Sequence, residues 1–231
     1  NRHTGLYTIR VTFTHHTSVN FIIVYVSINR VNCEIKRGES VAILGKNGYG
    51  KSTLCKLISK VTEPSEGQIM IDGKLIPILD LNFGMELEQT GIENIRFLAT
   101  LFGLQKNIID SKISEITEFA NLKDFLETPL KKYSNGMRTR LIFSTLIFFP
   151  SDIFILDEVL AVSDKSFKNK AIKQIQKINS KGTSILCISH EESIIKSLCE
   201  YGYVFTNKGV LSEKLKINDA IELYNATLKK I

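Results

Sequence analysis

The chain has no apolar run near the roughly eighteen residues that a membrane-spanning helix needs. Its longest apolar stretches, Phe21 to Ile28 and Leu141 to Phe149, are too short. It opens on Asn1 rather than Met, and the basic region, apolar core and small-residue cleavage site of a signal peptide are missing. There is no low-complexity tract and no internal repeat, which excludes solenoid and disordered classes. Four cysteines (Cys33, Cys55, Cys187, Cys199) form no C-x-x-C and no metal-ligand spacing. They read as reduced, buried thiols of a cytosolic protein. The net charge of +6 is spread along the sequence, so it is a solvated surface before it is a nucleic-acid footprint.

What remains is ordinary globular composition, 43% hydrophobic and 23% charged in 231 residues, enough to bury one large core. Within it, "SVAILGKNGYGKSTLCKLI" places a uniformly apolar strand, Val41 to Leu44, ahead of a glycine-rich loop and a helix from Thr53. Leu54, Leu57 and Ile58 are predicted to share that helix's buried face. Gly45-Lys46-Asn47-Gly48-Tyr49-Gly50-Lys51-Ser52 fits G-x-x-x-x-G-K-[ST] at every fixed position. Gly45, Gly48 and Gly50 let consecutive N–H groups, Asn47 among their bearers, curl around phosphate oxygens. The helix N-terminus at Ser52 and Thr53 adds its positive end. Lys51 is positioned for the β- and γ-phosphates and Ser52 for Mg²⁺, so the segment predicts a bound nucleotide.

"SDIFILDEVLAVSD" offers the complementary half. Ile153 to Leu156 reads as a second buried strand with Asp157 and Glu158 at its C-terminal end, the edge where open α/β sheets bind ligands. Asp157 suits the metal, and Glu158 suits orienting and polarising the attacking water. A third apolar strand in "TSILCISHEES" ends at Ser189-His190, bringing His190 to the same edge and the γ-phosphate. His3, His15 and His16 lack such surroundings and read as surface residues.

The stretch "KKYSNGMRTRLIFSTLIFF" puts Ser134-Asn135-Gly136 before a helix beginning near Met137, with Ser134 as its cap. Gly136 would allow close backbone approach, and Asn135 tolerates positive φ. Phosphate loop, Ser-x-Gly loop, Asp-Glu pair and histidine occur in one order. Together they resemble the nucleotide-binding subunit of ABC transporters, from about Ile35 to the C-terminus. The resemblance implies ATP with Mg²⁺, and a second copy of the chain closing head to tail. Ser134 and Gly136 would then meet the γ-phosphate held by the other copy, and Asp164 would help link the two sites. It also implies a polytopic membrane permease as partner, at the cytoplasmic face of the cell membrane, with no nucleic acid.

The family's usual L-S-G-G-Q is replaced here by Tyr133-Ser134-Asn135-Gly136-Met137. This resembles the Y-S-x-G-M of polysaccharide exporters for capsule, O-antigen and teichoic acid. "DEVLAVSD" resembles that branch's D-E-x-x-A-V-G-D with Ser163 for Gly, and Thr90-Gly91-Ile92-Glu93-Asn94 resembles its T-G-x-E-N. Gln89 adjoins Thr90 and is out of register with the glutamine most ABC ATPases carry. Phe13 is the nearest aromatic for stacking adenine. Members acting on DNA or the ribosome resemble tandem or coiled-coil-split ATPases, and no heptad run separates Lys51 from Asp157. A GTPase would want Asn-Lys-x-Asp, which Asn169-Lys170 and Asn207-Lys208 lack.

The expected architecture is one α/β domain over residues 1–231, a P-loop NTPase fold. It has a RecA-like core, a β-rich N-terminal edge and an inserted helical signature subdomain at about 90–149. Tyr203 to Thr206 and Val210 to Leu211 flank a hairpin turn at Asn207-Lys208-Gly209. A C-terminal helix at about 219–230 presents Ala220, Leu223, Tyr224 and Leu228 on one face. No sugar-binding domain is expected after it, which leaves glycan selection to the membrane subunit.

Overall fold

The computed structural model describes residues 24–28, 31–64, 67–79, 81, 84–160 and 164–229. Phe13, His3, His15, His16 and Ser163 lie outside them. Along the chain, β1 (Val24–Ile28), β2 (Val31–Ile35), β3 (Ser40–Gly45), α1 (Lys51–Ile58), β4 (Gln68–Met70) and β5 (Leu75–Ile78) come first. Four helices follow: α2 (Gly91–Leu101), α3 (Lys106–Asp110), α4 (Ile113–Ala120) and α5 (Asn135–Ile147). Then come β6 (Ile153–Asp157), α6 (Lys165–Asn179), β7 (Ser184–Ile188), α7 (Glu192–Leu198), β8 (Tyr201–Asn207), β9 (Val210–Leu211), β10 (Leu215–Lys216) and α8 (Ile217–Lys229).

The strands that read as unbroken apolar runs are the centre of the larger sheet, ordered β10-β8-β3-β7-β6-β5 with β9 beside β8. β8, β3, β7, β6 and β5 pair in parallel. Such strands are covered on both faces, which is why polar residues do not alternate in them. Side chains still alternate in direction. Ala42, Leu44, Phe154, Leu156 and Ile185 pack toward α5 and α6. Val41, Ile43, Ile155, Leu186 and Ile188 pack toward Leu54, Cys55 and Ile58 of α1 and toward β2. A smaller antiparallel sheet, β2-β1-β4, caps that second face. All four cysteines are free and buried.

Helix α5 is buried from Leu141 through Ile147, around its whole circumference. The two hydroxyl residues of that segment survive this because Ser144 Oγ donates to Arg140 O and Thr145 Oγ1 to Leu141 O. No helix among the described residues is long and apolar enough to cross a membrane.

Several local expectations shift. α1 begins at Lys51, two residues before Thr53, because Gly50 supplies a left-handed N-cap (φ 114°) that turns the chain into the helix at once. Leu57 is only half-buried, and Cys55 joins Leu54 and Ile58 on the inner face. α5 begins at Asn135, so Asn135 is helical and needs no positive φ. α8 starts at Ile217, whose N–H is fixed by Glu200 O. Leu228 is 41% exposed, and Ile221 occupies the core position instead.

Candidate functional site

Parallel pairing brings three strand ends to one edge. β7 lies between β3 and β6, with Asp157 opposite Ile188 at the last register position. The phosphate loop therefore leaves β3 beside the turns that carry Glu158 and His190. The loop is held by a backbone bond from Tyr49 N–H to Lys46 O, 3.3 Å, and its glycines Gly48 (φ 77°) and Gly50 adopt backbone that side chains resist. Asn47, Ser52 and Thr53 are exposed along its mouth and the first turn of α1. Lys51 is 7% exposed, and its ammonium donates to Gly45 O at 2.7 Å and Lys46 O at 3.2 Å. Burial pulls its pKa below the usual lysine range, against the opposing pull of the Glu158 and Asp157 carboxylates.

Asp157 responds in the opposite sense. Burial, then the neighbouring Glu158 charge, pushes its carboxyl above the usual range, while Lys51 and His190 pull it down. Two carboxylates crowded beside one buried ammonium favour further positive charge. Glu158 sits at φ 53°, a left-handed conformation uncommon for a side-chain-bearing residue, and its N–H donates to Ile188 O at 3.0 Å. Non-glycine residues held this way concentrate at functional sites. His190 Nε2 lies 2.9 Å from Glu158 Oε1. β7 ends at Ile188, so His190 stands on the turn after the strand rather than on it.

Lys51, Asp157, Glu158 and His190 are thus one cluster. Ser134, Gly136 and Asp164 are not drawn into it: among the described residues no hydrogen bond or ion pair joins them to it. Ser134 Oγ accepts from Met137 N–H at 3.2 Å, capping α5. Gly136 lies in the first turn of α5, and a Cβ added there would meet nothing closer than Ser134 Oγ at 4.0 Å. Asp164 caps α6, accepting from Phe167 N–H at 2.9 Å. All three residues are exposed at the N-termini of α5 and α6, where first-turn N–H groups lack intrahelical partners and favour an anion.

Other supports escape sequence reading. Phe205 on β8 lies beneath the phosphate loop, so a Cβ at Gly45 would stand 2.8 Å from the Phe205 Cβ. Gly209, at the turn between β8 and β9, donates its N–H to Tyr49 O at 3.2 Å. Lys168 pairs with Glu191, next to His190, and Glu191 N–H donates to Ser189 Oγ. Only the hairpin signal at Asn207-Lys208-Gly209 gave a hint of any of these.

The profile of the ABC transporter family matches residues 28–161, more than half of the chain. The chain belongs to the ABC transporter family. As an ABC ATP-binding subunit it binds and hydrolyses ATP. It is 37% identical over 204 residues to the O-antigen export system ATP-binding protein RfbB of Klebsiella pneumoniae, covering 88% of this chain and 82% of that one. It is likewise 37% identical over 188 residues to the ABC transporter protein AbcA of Aeromonas salmonicida, 81% of this chain and 61% of that one. The teichoic acids export ATP-binding protein TagH of Bacillus cereus is 36% identical over 204 residues; there the match spans 88% of this chain but 37% of the relative. The branch resemblance drawn from Tyr133 to Met137 agrees with these relatives. Among solved structures, the ATP-binding subunit of an ABC transporter superposes with a TM-score of 0.79 at 21% identity, covering 90% of this chain and 99% of that one. That likeness shows the P-loop NTPase fold.

Proposed function

We propose that this ABC ATPase powers export of a polysaccharide or lipid-linked glycan across the cytoplasmic membrane. It would work at the cytoplasmic face with a polytopic permease. The relatives' O-antigen and teichoic-acid names and the motifs at Tyr133–Met137 and Thr90–Asn94 support this substrate class. The observation that carries the catalytic reading is the cluster of Lys51, Asp157, Glu158 and His190 beside the glycine loop.

In this reading the loop from Gly45 to Thr53 cradles the phosphates, and Lys51 neutralises charge on the β- and γ-phosphates. The crowded carboxylates and the exposed Ser52 hydroxyl fit a divalent cation: Ser52 and Asp157 would hold Mg²⁺, which when bound supplies charge neutralisation at the phosphates. Glu158 takes the proton of the attacking water, and His190 fixes the Glu158 carboxylate and the γ-phosphate. Helices α2 to α5 act as the signature subdomain. Its Ser134 and Gly136 reach the γ-phosphate held by a second copy, in keeping with their exposure at the start of α5, and Asp164 links the paired sites. ATP then favours the closed dimer because both copies gain contacts to it, and hydrolysis removes them.

A strain whose only copy carries Glu158→Gln tests this. The variant keeps ATP binding, loses roughly a hundredfold or more of hydrolysis, accumulates ATP-bound dimers and leaves the glycan inside the cell. Normal surface polymer in that strain refutes the proposal.

A further inference from the structure

Two residues of the export-branch motifs, Gly91 of Thr90–Asn94 and Tyr133 of Tyr133–Met137, lie against each other. Gly91 opens α2 directly after its cap Thr90, and it is buried. Its φ is not positive, so backbone conformation does not call for glycine, and glycine is a poor helix former. Space does call for it. A Cβ at Gly91 would lie 2.5 Å from the Tyr133 hydroxyl and 3.2 Å from Leu126 O. Tyr133 is 4% exposed, and its hydroxyl donates to Phe125 O at 2.6 Å. A leucine at 133, as in L-S-G-G-Q, would make no such bond and leave no hydroxyl for residue 91 to clear.

The contact belongs to a larger block. Leu130 N–H donates to Gln89 O and Lys131 N–H to Leu87 O, both at 2.9 Å. Lys131 Nζ lies 2.6 Å from Glu88 Oε2. The buried Asn94 amide donates to Glu86 O at 3.0 Å and accepts from Glu86 N–H at 2.9 Å. Residues 86–90 and 130–133 are therefore stitched together, and Ser134 is the next residue along.

We propose that the Tyr133–Gly91 contact is a positioning device that fixes the signature serine, Ser134, relative to the 86–90 segment. Movement imposed on that segment by a membrane partner then reaches Ser134 as a rigid shift, without a glutamine in the usual register. The proposal rests on the reading of Ser134 as a contact to ATP on the second copy. Neither residue touches the reacting atoms; both act through Ser134.

The test compares Gly91→Ala, Tyr133→Phe and the double variant in the reconstituted transporter. Adding a methyl at 91 displaces the phenol. Removing the hydroxyl leaves the ring atom Cζ at 3.4 Å, an ordinary contact, and Leu126 O at 3.2 Å, which must give by a few tenths of an ångström. Gly91→Ala should lower ATP turnover at least tenfold while ATP binding by the isolated monomer changes less than twofold. Tyr133→Phe keeps the ring and loses the bond to Phe125 O, so it should lower turnover about threefold, and the double variant should recover most of the Gly91→Ala loss, short of the strain left against Leu126 O. Parental turnover in Gly91→Ala, or a double variant as slow as Gly91→Ala, overturns the positioning role. A parallel fall in monomer ATP binding marks a merely destabilised chain and overturns it as well. Ser134→Arg separates the two layers of inference. If it is inactive while Gly91→Ala is normal, only the positioning role fails. If it turns over normally, the signature reading fails and the positioning role falls with it.

Discussion

Replacing Asn94 by alanine removes the side chain that ties the 86–90 segment to α2. The residue is 1% exposed. Its amide nitrogen approaches Glu86 O at 3.0 Å, Gln89 O at 3.3 Å and Thr90 O at 2.9 Å, and its carbonyl accepts from Glu86 N–H at 2.9 Å. An amide has only two hydrogens, so three acceptors share them and three bonds at most are independent. The three carbonyls each keep another donor: Gln89 N–H, Leu130 N–H and Asn94 N–H respectively. Only Glu86 N–H loses its sole partner, and Glu86 is exposed enough for water to replace it. At about 1 kcal/mol net per bond, the loss should be about 2–4 kcal/mol. Urea unfolding followed by circular dichroism measures it as a lower midpoint at unchanged slope. A loss under about 1 kcal/mol would refute the view that Asn94 holds the segment in place.

Two further predictions concern charge. Lys168→Met and Glu191→Gln should each lower ATP turnover several-fold, because their ion pair steadies the turn bearing His190, and the exchanged pair Lys168→Glu/Glu191→Lys should recover it. Stability should fall by no more than about 1 kcal/mol, as for other partly exposed pairs; equal slowing in the exchanged pair would discard the role. Glu93 accepts from Thr90 N–H and then Thr90 Oγ1, which hold its carboxyl below the usual range. A depressed carboxyl stabilises the fold above its unfolded pKa and loses that contribution as pH falls through the folded value. Glu93→Gln should therefore be less stable than the parent at pH 7, and the gap should close in acid; a gap that is constant from pH 7 to pH 3 contradicts this.

The phosphate loop was legible because its chemistry is local: fixed glycines, a lysine and a hydroxyl at set spacing between an apolar strand and a helix. The strands ending at Gly45, Asp157 and Ile188 were legible because burial on both faces leaves no polar alternation. What escaped depends on residues far apart in the chain. Nothing near Tyr133 says that its hydroxyl needs a glycine at 91, and nothing near Gly45 says that Phe205 lies beneath it. The Ser-x-Gly triplet reads as a loop before a helix near Met137, yet with Ser134 as its cap the helix begins two residues earlier, at Asn135. Leu228 fitted the periodicity of α8, but the core ends before it, and Ile221 carries the packing. Glu158 was legible as a carboxylate after a strand; its left-handed backbone and its pairing with His190 were not.

In the proposed dimer, one copy's phosphate loop would work with the other copy's signature serine. Mixing two inactive variants tests it most directly. A mixed dimer of Lys51→Ala and Ser134→Arg contains one site with both defects and one site with neither, if the two residues serve a site in trans. Each variant alone should fail to form ATP-dependent dimers in a Glu158→Gln background, while the mixture should form them, as read by sedimentation velocity. A mixture as devoid of dimers as either variant alone would contradict it, because Lys51 and Ser134 would then serve the same chain's site.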